Sequence, residues 1–362
     1  MSTFITNLAD LQAMSVDLTE DYILLNDIDA GATNPSNPSW DSGGTWADRT
    51  GFNPISTFTG TFDGNGNSIS NLFINKAANY IGLFGIIDSA SSWVRNTNLI
   101  DVNITGVAYT GTLIGDLTDG TDVTNCSASG TLVTTGVFVG GLIGINRGAN
   151  IVNCSVTTTV TGASNSVGGL IGNNYTGGTG NVTNCHYNGS ITVTAGTYHG
   201  GLIGNWADGD ITECSSKGTI SGYTFVGGFV GFPVSAPGTA QRCFSSMDVT
   251  SSLNSTGGIY IGGFAGDSNG DFVGSEGEGG TAVLYSSDGI NFYEYDATEN
   301  LRIPDVKKIN GNPVYYCHSF KYKSKYYMSY RDPEDWIWNI NGFSKVKYSA
   351  FTWKSVENFV SR

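Results

Sequence analysis

Six cysteines stand in the chain, and four of them recur in step: Cys126, Cys154, Cys185 and Cys214. Thr97 holds the same phase one repeat earlier, and Cys243 one repeat later. Thiols that share a phase can pair as disulfides, ligate a metal or pack as small apolar groups. Neighbouring strands bring Cα atoms within the ~4.4–6.8 Å a disulfide spans, but in-register stacking suits its dihedral poorly. Ligands strung along one line cannot form the tetrahedron that zinc prefers. The series is therefore expected to be a column of buried free thiols.

Other groups carry weaker signals. Asp267, Asn269, Asp271 and Glu278 follow the spacing of calcium-loop ligands, although Phe272 stands where such a loop wants glycine. Calcium is the one cofactor the residues suggest. Glycoside cleavage needs two carboxylates across a cleft. The candidate sets are Asp27 with Asp29, Asp116 with Asp119 and Asp122, Asp208 with Asp210, and Asp332 with Glu334 and Asp335. Acidic residues at the turns of a repeat are ordinarily solvated surface, so no catalytic residue is assigned and the reading leans away from an enzyme. His186, His199 and His318 stand in no nucleophile-and-acid pattern. Trp40, Trp46, Tyr109, Tyr175, Tyr198, Trp206 and Tyr223 fall in loops near the joints of the repeat, where they are candidates to stack on sugar rings.

The elements that position these residues come from a second marker. Variants of Gly-Gly-Leu-Ile-Gly close at Gly85, Gly115, Gly144, Gly172, Gly204, Gly231 and Gly266, about 18 residues after each cysteine position and with a period near 29 residues. Self-similarity at that period means stacked units. Each unit holds short β-prone runs such as Gly130–Thr134, Val139–Ile143 and Ile151–Cys154, and no run suits a helix. The expected fold is all-β: a right-handed parallel β-helix of two or three long sheets, its coils ~4.8 Å apart.

Residues 6–15 read as a short N-terminal helical cap, with Leu8, Leu11 and Met14 on one face and Thr6 or Asn7 as N-cap. Asp21–Asp29 reads as a first strand, and 58–74 as two strands around a glycine turn. The division is cap and entry coils at 1–79, repeats at 80–266, an acidic glycine-rich linker at 267–280, and a small antiparallel β domain at 281–362. Its first hairpin turns at Asp288-Gly289.

The net charge is −14, unevenly spread. Residues 301–362 hold 11 of the 17 Lys and Arg but 5 of the 31 Asp and Glu, leaving 6 basic against 26 acidic side chains elsewhere. Phosphates would be repelled by such a body, so nucleic acid is not an expected partner. No stretch approaches the ~20 apolar residues of a membrane helix, so no membrane insertion is expected. Met1-Ser2-Thr3-Phe4 lacks a basic region leading into an apolar core, so no signal peptide is expected.

The repeats resemble the GLUG motif, through Val139-Gly-Gly-Leu-Ile-Gly144 and Val152-Asn-Cys154 and their parallels over residues 80–266. Asp21–Asp29, Gly51-Phe-Asn-Pro-Ile55 and Phe58–Gly66 are similar to the lead-in of such proteins. The resemblance implies a surface or extracellular β-helix of adhesive character. The zinc motif of GLUG-bearing immunoglobulin A peptidases, His-Glu-x-x-His, is absent from the sequence. The layout also resembles phage tail fibres and tail spikes, which need no signal. The expected function is a non-enzymatic structural or adhesive protein: a phage tail fibre or receptor-binding virion protein, or a surface adhesin. Its partners would be a host-surface glycan or protein, other tail subunits, or two further copies in a homotrimer. The competing readings are a polysaccharide depolymerase and a purely structural virion subunit.

The cysteine column gives a direct test. In a Cys317→Ser variant, a thiol reagent is expected to label none of the five remaining cysteines in the native chain and all five in denaturant. Fewer than five in the unfolded, unreduced chain would sink the free-thiol reading.

Overall fold

The computed structural model describes residues 2–118, 120–175, 180–234, 238–251 and 265–266, with the backbone of strands at 261–262 and between 284 and 340. The chain winds as a parallel β-solenoid. A full coil runs Ser127–Thr134, Val137–Gly140, Ile143–Asn146 and Asn150–Val152, each strand hydrogen-bonded in parallel to its counterparts in the coils before and after. Four sheets result, not the two or three expected. The sequence reading merged Val137–Gly140 and Ile143–Asn146 into one run. The Gly140-Gly141 pair at their junction lets the backbone bend sharply, and each half joins its own sheet.

Like stacks on like within the core. One column runs Tyr22, Phe62, Val94, Val123, Ile151, Val182, Ile211 and Ala240. A second runs Phe84, Ile114, Ile143, Ile171, Ile203 and Val230, each of them fully buried. Full burial of such a side chain stabilises by about 1.5–3 kcal/mol. The extra residues of the longer coils fall between strands or in a bulge, as where Ile100 and Asp101 together oppose Ser129, so the columns keep their register.

The Asn-Cys step forms one corner. Asn96, Asn125, Asn153 and Asn184 lie in left-handed backbone, with φ between 51° and 55°, which asparagine tolerates better than most residues. Their carboxamides form a ladder. Asn184 donates to Asn153 at 2.9 Å, Asn153 to Asn125 and Asn125 to Asn96 at 3.1 Å, and Asn96 to the Asp63 carboxylate at 3.0 Å. The residue after each corner turns inward. Cys126, Cys154, Cys185, Cys214 and Cys243 are free and buried, as expected. Their Sγ atoms lie 3.2–3.4 Å from the carbonyl two residues back. Thr97 makes the same contact through Oγ1 at 2.9 Å, which confirms its phase. Burial pushes the Cys185 thiol well above its ordinary range.

At the N-terminus the order differs from expectation. The first strand is Thr3–Ile5, paired in parallel with Asp21–Leu24. The helix is shorter than expected, α1 at Leu8–Ala13 followed by a 3-10 turn at Met14–Val16. Asn7 caps it by accepting from the Asp10 amide at 3.0 Å, while the Asp10 carboxylate reaches back to the Thr6 amide at 3.0 Å, a reciprocal cap. Leu11 and Met14 enter the core. Asp21–Asp29 is broken into two strands, and 61–75 holds three strands shared between two sheets.

These N-terminal strands extend the same sheets as the repeats. The C-terminal strands are antiparallel, as expected: Leu284–Tyr285 pairs with Tyr293–Glu294, and Cys317–Tyr322, Lys325–Asp332 and Ile337–Ile340 form one sheet. Among the described residues no helix is long and apolar enough to cross a membrane.

The sharp bend needs glycine for space. A Cβ on Gly168 would collide with the Ile171 carbonyl oxygen and crowd the Gly204 amide and Leu202 carbonyl, all backbone atoms. Gly43 has nothing near its Cβ position. Gly168→Ala is expected to destabilise by more than about 3 kcal/mol in denaturant titration, in line with strained core sites. Gly43→Ala should leave the midpoint unchanged.

Candidate functional site

Where the chain enters each strand of the Val137–Gly140 sheet, one residue again adopts left-handed backbone. These are Tyr80, Tyr109, Phe138, Ser166, Tyr198 and Phe225, with φ from 51° to 67°. The register of the residues that follow them, Ile81, Thr110, Val139, Val167, His199 and Val226, makes the six a single column. Bulky side chains in this region cost about 1–3 kcal/mol each, so the conformation must be held from outside. Coil-to-coil hydrogen bonds do so: Tyr80 N to Ala108 O, Tyr109 N to Val137 O and Thr110 N to Phe138 O, at 2.8–3.1 Å.

The rings stack along the solenoid. Tyr80 and Tyr109 lie 4.8 Å apart and nearly parallel, and Phe138 follows at 5.3 Å. Further on, Tyr198 and Phe225 lie 5.4 Å apart. A second column, on the Ile143–Asn146 sheet, runs Ile86, Asp116, Ile145, Asn173, Asn205 and Phe232. Phe232 contacts both neighbouring rungs, Tyr198 at 4.5 Å and Phe225 at 5.5 Å. Each member of the second column therefore corresponds to the space between two rungs of the first. Ser166 interrupts the aromatic series.

One ion pair lies on this flank. Arg147 grips the Asp116 carboxylate with Nε at 2.7 Å and Nη2 at 2.9 Å. Those hydrogen bonds, with the Tyr109 and Tyr80 phenols adding to them, hold the guanidinium pKa above its ordinary value. The guanidinium carbon also lies 5.7 Å from the centre of the Tyr175 ring. Tyr175 is 45 % exposed.

The sugar-stacking candidates thus divide. Tyr109 and Tyr198 share the aromatic column, and Tyr175 approaches it through Arg147. Trp46 and Trp206 do not belong to any surface: they are 6 % and 1 % exposed. Both were placed outside because glycine- and asparagine-rich segments surround them. Instead each indole finds an internal acceptor, Trp206 Nε1 at Gly209 O and Trp46 Nε1 at Gln12 Oε1. Trp40 is half-buried under Arg49 and donates to the Trp46 carbonyl. Tyr223 is half-buried, and its amide donates to His199.

Sequence reasoning missed Tyr80, Phe138, Phe225 and Phe232. The signal was present, since an aromatic residue stands five or six places before most of the closing glycines. Asp267, Asn269, Asp271 and Glu278 lie outside the described residues, as do Asp119, Glu334, Asp335, Asp288 and Gly289, and of His318 and Asp332 only the strand backbone is described. Among the described residues no three His, Cys, Asp or Glu side chains gather to hold a metal. The described carboxylates raised as catalytic candidates are engaged locally. Asp27 accepts from Ser68, Asp29 from Gly31 and Asn71, Asp122 from Asn150, Asp208 from Gly209 and Asp210 from Thr239.

His199 sits in the core column between Val167 and Val226. Its Nε2 donates to the Ser164 carbonyl and its Nδ1 accepts the Tyr223 amide, both at 3.0 Å, so the ring is neutral. Burial lowers its pKa to about 4.

No family model matches the chain. Over 149 residues it is 39 % identical to halomucin of Haloquadratum walsbyi, an alignment that covers 39 % of this chain and 2 % of that protein. Over 99 residues it is 39 % identical to a protein of Evansella cellulosilytica assigned as a Gly-rich membrane protein, covering 27 % of this chain and 10 % of the relative. The chain thus spans a small part of either relative's length. A solved structure from Bacteroides ovatus, assigned as an immunoglobulin A1 protease, superposes with a TM-score of 0.52 at 18 % identity, covering 73 % of this chain and 82 % of that one. That likeness supports the β-solenoid fold.

The buried imidazole makes stability depend on pH. Between pH 6.5 and about 4 the unfolded chain takes up a proton at His199 that the folded chain refuses. Stability therefore falls as pH falls through that window, by about 3 kcal/mol at its foot. Asp27 and Asp48, held below 3.8 by hydrogen bonds from Ser68 and Thr50, add their losses only at lower pH. His199→Val, which copies Val167 and Val226, is expected to flatten the melting temperature between pH 6.5 and 4.5. A variant that loses stability in acid as steeply as its parent removes His199 as the cause.

Proposed function

We propose that the chain is a non-enzymatic adhesive module of a surface repeat protein, with GLUG-type repeats. In this reading the solenoid is a stiff spacer, and its aromatic flank is the contact face for a cell-surface glycan. The observation that carries it is the flank itself: Tyr80, Tyr109, Phe138, Tyr198 and Phe225 at half-burial, with the Arg147–Asp116 pair and the exposed Tyr175 beside them. Rings of this kind offer sugars an apolar surface and phenol oxygens at its edge, and the paired charges orient hydroxyls.

Two relatives whose names denote a mucin-like and a membrane protein support placement at a surface. They favour a cellular adhesin over a phage tail fibre with tail-subunit partners or a trimeric assembly. Carboxylates tied into local hydrogen bonds favour binding over a polysaccharide depolymerase.

The test is a glycan array and a cell-binding assay with the full chain. Retention of surface polysaccharide without release of reducing ends is the expected result. Release of reducing ends would establish a depolymerase, and retention of neither glycans nor cells removes the adhesive reading.

A further inference from the structure

The aromatic column has one rung missing. Phe138 and Tyr198 are two coils apart, and Ser166 stands between them where every other described coil from Tyr80 to Phe225 carries a ring. Two coil spacings are roughly 9.6 Å, room for one ring in van der Waals contact with both neighbours. The second column changes at the same place. Asn173 and Asn205 occupy the two positions that flank Ser166, as Phe232 flanks Phe225. Their Oδ1 atoms are buried without a hydrogen-bond partner, and Asn173 is 3 % exposed. A buried, unpaired carboxamide oxygen costs about 1–3 kcal/mol. Two at one break in a regular ladder call for an explanation.

We infer that the break at Ser166 is a slot for one pyranose ring of a surface polysaccharide, and this rests on the adhesive reading above. The ring would take the place of the absent aromatic rung. Its C–H faces would lie against Phe138 and Tyr198. Its rim hydroxyls would meet the carboxamides of Asn173 and Asn205. A half-turn of χ2 exchanges oxygen for nitrogen, so each carboxamide can present an acceptor or a donor outward. A phenyl ring would fit the same width but would leave both carboxamides unpaired, which is why the occupant is a sugar and not an aromatic side chain. Ser166 is 2 % exposed, so neighbouring side chains close over the gap and must part to admit the ring. Tyr175 and Arg147 border the flank in the same two coils and are placed to contact the next sugar unit.

Filling the slot tests it. Ser166→Phe restores the missing rung in a backbone conformation that Phe138 and Phe225 already adopt. Asn173→Leu removes one carboxamide at a position whose register neighbour is Ile145. Parent and variants are compared on a printed array of surface oligosaccharides, with melting curves alongside. The parent is expected to bind at least one hexopyranose-bearing glycan. Both variants are expected to bind it at least tenfold more weakly, with melting temperatures equal to or above the parent's. If Ser166→Phe fails to fold, Asn173→Leu decides. Undiminished binding in a folded variant overturns the slot while leaving the adhesive reading intact. A parent that binds no glycan, or that takes phenyl-bearing peptides instead, overturns the slot, and the adhesive reading falls with it only if cells are not retained either.

Discussion

The constraint on which the structure depends is parallel stacking in register. Each residue lies over its counterpart one coil away, at strand spacing. Every position must therefore tolerate a near-copy of itself above and below. Apolar columns satisfy this by filling space, as Ile114, Ile143, Ile171 and Ile203 do. Polar columns satisfy it only if a side chain both donates and accepts. Asparagine meets that condition, and the Asn96–Asn184 ladder follows. A column of aspartates would repel itself. Where carboxylates enter a ladder they stand at its end or beside a cation, as Asp63 and the Glu213–Arg242 pair show.

The same rule separates structure from function on the aromatic flank. Rings that face one another along the axis use their faces internally, as Tyr80 and Tyr109 do. An unbroken ladder of this kind presents ring edges and phenol oxygens at the surface and keeps its faces inside. In the proposed reading, stacking a sugar against a ring face needs an interruption, because there a face is left without its partner. Ser166, with Asn173 and Asn205 beside it, is such an interruption, and it falls in the middle of the regular repeat.

Much of this was legible in the sequence, because periodicity survives translation into geometry. The glycine and cysteine markers gave the coil, the interior thiols and the place of Thr97. The number of sheets was not legible. A Gly-Gly bend and a continuous apolar run look alike until backbone crowding at Gly168 and Gly200 is seen. The first strand, Thr3–Ile5, is three residues long and gains its identity only from its partner Tyr22 and neighbours. Trp46 and Trp206 were misplaced because local polarity predicts exposure only when no acceptor waits inside, and Gln12 and Gly209 supply one. The flank's composition was visible residue by residue, but its meaning depends on which aromatic is absent. A candidate list built from residues that are present cannot show that.

The asparagine ladder carries a last consequence, for inheritance. Each carboxamide donates toward the N-terminal coil and accepts from the C-terminal one, so every interior rung is interchangeable with its neighbours. Recombination that duplicates or deletes a whole coil leaves the joins chemically identical and lengthens or shortens the solenoid by one step. A single-residue insertion within a strand enjoys no such neutrality, since it turns an inward column outward unless a bulge absorbs it, as at Ile100–Asp101. The gene can therefore drift in whole coils, and the distance between any two features on the surface is a quantity that copying errors can adjust without redesigning either.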